Sequence, residues 1–87
     1  MTEASQAKYT PAFVTDLKKL EPSLQRRILK AIETKLLIRP FQHARKLVDK
    51  RGPGRWRFRV GDYRIRFDIE GNTLLFYRVR HRREVYE

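Results

Sequence analysis

Apolar residues recur at two different periods along this 87-residue chain, and the change of period divides it. In the first half the spacing is helical. Phe13, Leu17 and Leu20 follow Thr10-Pro11, which reads as an N-cap with proline at the first helical position, predicting a helix from Pro11 to about Leu20. Glu21-Pro22 stops it, because a residue before proline is driven out of the α region, and Pro22 can open the next helix. Leu24, Ile28, Ala31, Ile32 and Leu36 then form one apolar stripe, with Arg26, Arg27, Lys30, Glu33 and Thr34 opposite. This second helix is expected to end near Ile38, before Arg39-Pro40.

Beyond the breaker Gly52-Pro53-Gly54 the period falls to two. Trp56, Phe58 and Val60 alternate with Arg55, Arg57 and Arg59; after the turn signal Gly61-Asp62, Tyr63, Ile65, Phe67 and Ile69 alternate with Arg64, Arg66 and Asp68. Gly71-Asn72 marks a second turn, and Leu74 to Val79 is apolar at nearly every position, as expected of a strand in mid-sheet. Ala7 to Tyr9 carries a weak signal for a short first strand, and Leu47-Val48 reads either as a strand end or as a loop anchor. The expected fold is α+β: a two-helix hairpin packed on one face of a three- to four-stranded antiparallel sheet. One domain spans residues 1–87, with residues 1–6 as a flexible tail.

Charge narrows the choice of partner. Lys plus Arg number 21 against 10 Asp plus Glu, a net charge of +11, and such an excess on a small domain repels itself and attracts polyanions. Nucleic acid is the first candidate partner, and an acidic protein the second. There is no cysteine, and His43 and His81 are the only imidazoles, neither with ligand spacing around it, so neither a metal nor a cofactor is expected. No apolar run approaches membrane-spanning length and Met1 to Lys8 is polar, so the expected location is cytoplasmic, without a membrane partner.

Alternate strand residues point to opposite faces. Arg55, Arg57 and Arg59 therefore share one face, Arg64 and Arg66 share the face opposite the apolar residues of their strand, and Arg78, Arg80 and Arg82 have a single parity on the last strand and its exit. Every lysine lies at or before Lys50, and from Arg55 onward the cations are arginine alone, nine of them. Solubility gives little reason for that bias, whereas planar, bidentate recognition of phosphate does. An open sheet face also needs polar side chains, but like charges at this density cost stability unless an anion offsets them. The expected nucleic-acid-binding residues are Arg55, Arg57, Arg59, Arg66, Arg78 and Arg80.

Two segments resemble a known family. Trp56-Arg57-Phe58-Arg59-Val60-Gly61-Asp62-Tyr63-Arg64-Ile65 is similar to the core motif of the RelE/ParE-superfamily toxins of type II toxin–antitoxin systems, and Val79-Arg80-His81-Arg82-Arg83-Glu84-Val85-Tyr86 is similar to their tail motif. The order of elements agrees, and the likeness extends over about residues 7–86, closest to the RelE branch. The resemblance implies a ribosome-dependent mRNA endonuclease that acts on mRNA in the ribosomal A site and is silenced by a cognate antitoxin protein. In such a reaction a ribose 2′-OH attacks the next phosphate. By motif, Arg64 resembles the arginine that contacts the scissile phosphate, Arg82 the arginine that stabilises the transition state, and Tyr86 the terminal tyrosine that orients or protonates. Arg55 and Arg57 stand where well-studied members carry lysine; since arginine effectively keeps its proton, Arg57 is suited to binding phosphate and not to general-base work.

The reaction needs a proton removed, a phosphorane stabilised and a proton returned. Arginines supply the second. His81, flanked by Arg80, Arg82 and Arg83, is the expected proton-transfer group, provided a bulge or loop overcomes its opposite parity to Arg80 and Arg82. Trp56 and Tyr63 are expected in the core, His43 as a solvated loop residue, and Glu84 paired with a neighbouring arginine. Two other functions fit the same residues: a ParE-like toxin that poisons DNA gyrase, and a non-catalytic basic module that binds RNA or an antitoxin.

Overall fold

A computed structural model describes residues 5–47 and 54–84. The chain runs through β1 (Gln6–Tyr9), α1 (Pro11–Lys18), α2 (Pro22–Ala31), a π-helical turn (Ile32–Leu36), α3 (Pro40–His43), β2 (Arg45–Lys46), β3 (Trp56–Val60), β4 (Tyr63–Glu70), β5 (Thr73–His81) and a 3-10 turn (Arg82–Glu84). The strands form one sheet in the order β1-β5-β4-β3-β2, antiparallel except that β1 lies parallel to β5.

Each helix begins with proline, where the missing N–H has no intrahelical acceptor to lose. Thr10 ties α1 to the sheet as well as capping it. Its Oγ1 accepts from Phe13 N at 3.1 Å and its hydroxyl donates to Tyr77 O at 3.0 Å, while its own N–H reaches Phe76 O. In the π-helical turn Leu37 N donates to Ile32 O, five residues back. That wider turn keeps Ile28, Ile32 and Leu36, spaced by four, all fully buried.

These helical residues, with Phe13 and Leu17, pack against Phe58, Val60, Ile65, Phe67, Leu74, Phe76 and Val79 on one face of the sheet. Phe67 and Phe76 face each other across the β4–β5 ladder with ring centroids 5.2 Å apart. Trp56 and Tyr63 pack at the margin of this core, half-buried. The two tight connections, Gly61-Asp62 and Gly71-Asn72, join Val60 to Tyr63 and Glu70 to Thr73 across two-residue loops, with both glycines in the left-handed region.

The α+β architecture is as expected, and the sheet is wider. Gln6 starts β1, and Ser5 N donates to Leu37 O at 2.7 Å, so these two residues are fixed within the segment read as a tail. The second helix ends in the π-helical turn at Leu36, close to the expected stop. The extra strand between the helices and the meander is Arg45–Lys46, just before Leu47; Val48 lies outside the described residues.

The β4–β5 ladder carries a bulge. Ile65 pairs with Val79 and Arg66 with Arg78, but Phe67 pairs with Phe76, leaving Tyr77 as the additional residue. Phe76 and Val79, three apart, therefore both face the core. This shift decides where the last arginines go.

Candidate functional site

On the sheet face away from the helices, arginines stand opposite arginines. Arg45 pairs in register with Arg57, Arg57 with Arg66, Arg59 with Arg64, and Arg64 with Arg80. Directly opposed like charges destabilise a sheet, and an anion placed among them would offset that cost. Arg45, Arg57, Arg59 and Arg64 line a cleft of about 430 Å³ together with Gln42, His43 and Ala44. Three strands and the end of α3 thus build one cationic basin, and among the described residues no carboxylate lines it.

The basin has a braced margin. Gly54 has φ +85°, and a Cβ there would lie 3.0 Å from the Arg66 Cβ, so only glycine lets the chain pass this close to β4. Arg66 Nε donates to Gly54 O at 2.6 Å. Asp68 receives Gly54 N at 3.2 Å and Arg55 N at 2.7 Å. Burial, followed by the charge of Asp68 and a hydrogen bond to it, raises the Tyr77 hydroxyl above its ordinary pKa. Arg66 thus supports the entry to β3, and the exposed Arg55 is fixed through its backbone.

Arg78 shares this face by register, directly opposite Arg66, but its side chain is committed to α1. Its Nε and Nη2 donate to Asp16 of α1 at 2.8 and 3.0 Å, and Val79 N donates to the same carboxylate at 3.0 Å. Asp16 is only 9% exposed. Burial pushes its carboxyl upward, but the hydrogen bonds from Arg78 and Val79 and the charges of Arg78 and Arg80 outweigh that and hold it below the ordinary carboxylate value. The expected RNA-binding role of Arg78 therefore meets a side chain already neutralised by an internal ion pair.

His81 and Arg82 also lie away from the basin. His81 is in register with Tyr63, on the parity of the core, and its ring stands edge-on to Tyr63 with centroids 5.1 Å apart. Its Nδ1 accepts Arg83 N at 3.1 Å, and its own N–H donates to Glu84 Oε1. It lines a separate cleft with Asp16, Lys19, Tyr63, Arg78 and Arg80. The bulge lies upstream of His81, so it does not bring the imidazole to Arg64. Glu84, expected beside an arginine, accepts the His81 N–H, and its charge also acts on Arg78. Arg82 sits in the 3-10 turn, exposed, with Nη1 3.7 Å from Asp62 Oδ1 and its N–H on Asp62 O. Arg80, and not Arg82, is the residue across from Arg64. Tyr86 lies outside the described residues.

The structure adds two residues to the expected set. Arg45 joins through β2, and His43 joins at the end of α3, where a solvated loop was expected. Pro40 at the start of a four-residue helix was the one local signal for that turn.

Among the described residues no cluster of three or more His, Asp or Glu side chains could hold a metal, and no helix is long and apolar enough to cross a membrane.

Known proteins share this architecture and sequence. The crystal structure of the RelBE2 toxin–antitoxin complex from Mycobacterium tuberculosis matches with a TM-score of 0.82 at 22% identity, covering 91% of this chain and 99% of the other. The RelB–RelE antitoxin–toxin complex from Methanococcus jannaschii matches with a TM-score of 0.65 at 26% identity, covering 91% and 94%. Toxin RelE3 of Methanocaldococcus jannaschii is 33% identical, over 91% of this chain and 92% of that protein. Residues 7–86 match the ParE toxin family of type II toxin–antitoxin systems. The chain belongs to that family, within the RelE/ParE superfamily of toxins.

Proposed function

We propose that this toxin is an endoribonuclease that cuts mRNA in the ribosomal A site and is silenced by a cognate antitoxin. The observation that carries the reading is the basin: Arg45, Arg57, Arg59 and Arg64 converge from three strands with no carboxylate among the described lining residues. Guanidinium groups in that number suit a phosphodiester whose charge grows as a ribose 2′-OH attacks it. Arg64, at the centre of the register between Arg59 and Arg80, is assigned to the scissile phosphate. Arg57 and Arg59 hold the flanking backbone, and Arg80 extends the row from β5. Two solved relatives are complexes with antitoxins, which supports a cognate antitoxin as partner; the cationic face suits one that is acidic.

The test is mRNA cleavage in a translating extract by wild type, Arg64→Ala and Arg80→Ala. Arg64→Ala is expected to lower cleavage about 100-fold or more. Undiminished cleavage by the Arg64 variant would reject the site.

The match to ParE toxins favours one second reading, a gyrase poison on the same scaffold. Inhibition of DNA supercoiling without mRNA cleavage would select it.

A further inference from the structure

Arginine alone cannot complete the proposed reaction. A 2′-OH is a poor nucleophile until its proton is taken, and a guanidinium has no proton-accepting state near neutral pH. The described residues that line the basin are Gln42 and Ala44, which have no acid–base side chain, the four guanidinium groups of Arg45, Arg57, Arg59 and Arg64, and His43. One side chain is left that can exchange a proton there: His43.

We infer that His43 is the general base of the basin, taking the proton from the attacking ribose 2′-hydroxyl. The inference rests on the nuclease reading above and goes beyond it by naming the proton acceptor. It stands on placement. Pro40 starts α3, Ala44 N closes it on Pro40 O at 3.0 Å, and Phe41 stands edge-on against Trp56 of β3 with centroids 5.3 Å apart. That aromatic contact holds the short helix over the sheet, so that Gln42 and His43 border the basin. The charged groups facing His43 are Arg45 from β2, Arg57 and Arg59 from β3 and Arg64 from β4, all cations that can also hold the phosphate within reach. His81 lacks this setting, since its Nδ1 already accepts the Arg83 N–H and its ring rests on Tyr63 in the other cleft.

The step balances. The 2′-OH proton passes to an imidazole nitrogen while the freed oxygen pair forms the O2′–P bond. The P–O5′ bond breaks, and its electron pair goes to the 5′-oxygen, which is protonated from solvent. The imidazolium returns its proton to solvent, leaving a cyclic phosphate and a 5′-hydroxyl.

Single-turnover cleavage of mRNA on programmed ribosomes, followed against pH, tests the assignment with wild type, His43→Gln, His43→Ala and His81→Gln. RNA affinity is measured in parallel. His43→Gln is expected to lower the rate about 100-fold or more. Its RNA affinity should stay within about threefold of wild type, the signature of an interaction used in the chemical step alone. The acid-side limb of the pH profile should disappear, and added imidazole should restore part of the rate to His43→Ala. His43 is exposed, so both variants are expected to melt like wild type. Wild-type rates in His43→Gln, a rate loss matched by lost affinity, or the expected pattern appearing in His81→Gln instead would each overturn the assignment and leave the nuclease reading standing. Absence of cleavage by wild type would overturn both.

Discussion

Arg64 and Arg78 sit on adjacent strands of one ladder and have opposite surroundings. Arg64 faces Arg59 and Arg80 in register and lines an open basin of cations. Arg78, in register with Arg66, reaches across to the buried carboxylate of Asp16 and is held there by two hydrogen bonds. The first arrangement sets like charges against one another, at an electrostatic cost to the folded chain. The second stabilises the fold and leaves little for a ligand. One residue type, two positions apart in register, is thus left among cations in one place and tied to α1 in the other, and the carboxylate of Asp16 makes the difference.

Substitutions can separate the two roles. The largest effect belongs to Arg64→Ala, which should cut mRNA cleavage about 100-fold or more. Its thermal midpoint should stay level or rise, since two like-charge pairs disappear. A clear fall in the midpoint would mean that Arg64 is structural and would erase the contrast. Asp16→Asn should do the reverse, costing about 2 kcal/mol of stability through the lost charge-assisted hydrogen bonds. In a domain of this size that is about 10 °C in calorimetry.

The Asp16 carboxyl also predicts a pH dependence. Its pKa in the folded state lies below the ordinary value, so the unfolded chain takes up the proton first. The stability from the pair is fully present above an unfolded carboxyl's pKa of about 3.9 and is lost as pH falls through the lower folded value. Denaturant melts between neutral and strongly acidic pH should show this loss in wild type, and the component should be missing from Asp16→Asn. Equal acid sensitivity in both would assign the effect to other carboxylates. The smallest effect is in salt dependence. Arg59→Ala should reduce the slope of log RNA affinity against log salt by about 0.7, one phosphate contact on a single strand, and Arg78→Ala should leave the slope unchanged.

Periodicity made the central part of this molecule legible. Strict alternation over Trp56–Val60 and Tyr63–Ile69 placed Arg57, Arg59 and Arg64 on one face, because a half-buried strand must separate its apolar and polar residues. The last strand has no such alternation. Leu74 to Val79 is almost uniformly apolar, so the sequence carries no mark of the bulge at Tyr77, which lets Phe76 and Val79 both face the core and sets Arg78 and Arg80 opposite Arg66 and Arg64. The two-residue strand Arg45–Lys46 is too short to show any period. His43 reaches the basin through a contact between Phe41 and Trp56, fifteen positions apart, which no local pattern reveals.

The parallel pairing of β1 with β5 bears on how the chain is made. Gln6 meets Thr73 and Tyr9 meets Phe76, so the first strand to emerge during synthesis has to wait for the last before it finds its neighbour. Pairings of such long sequence separation form late and slowly. Until then Tyr9 and Phe13, which pack against Phe76 in the finished protein, are without that ring, and a translation product truncated before β5 has no partner for β1. A toxin built this way completes its sheet only once β5 has been translated.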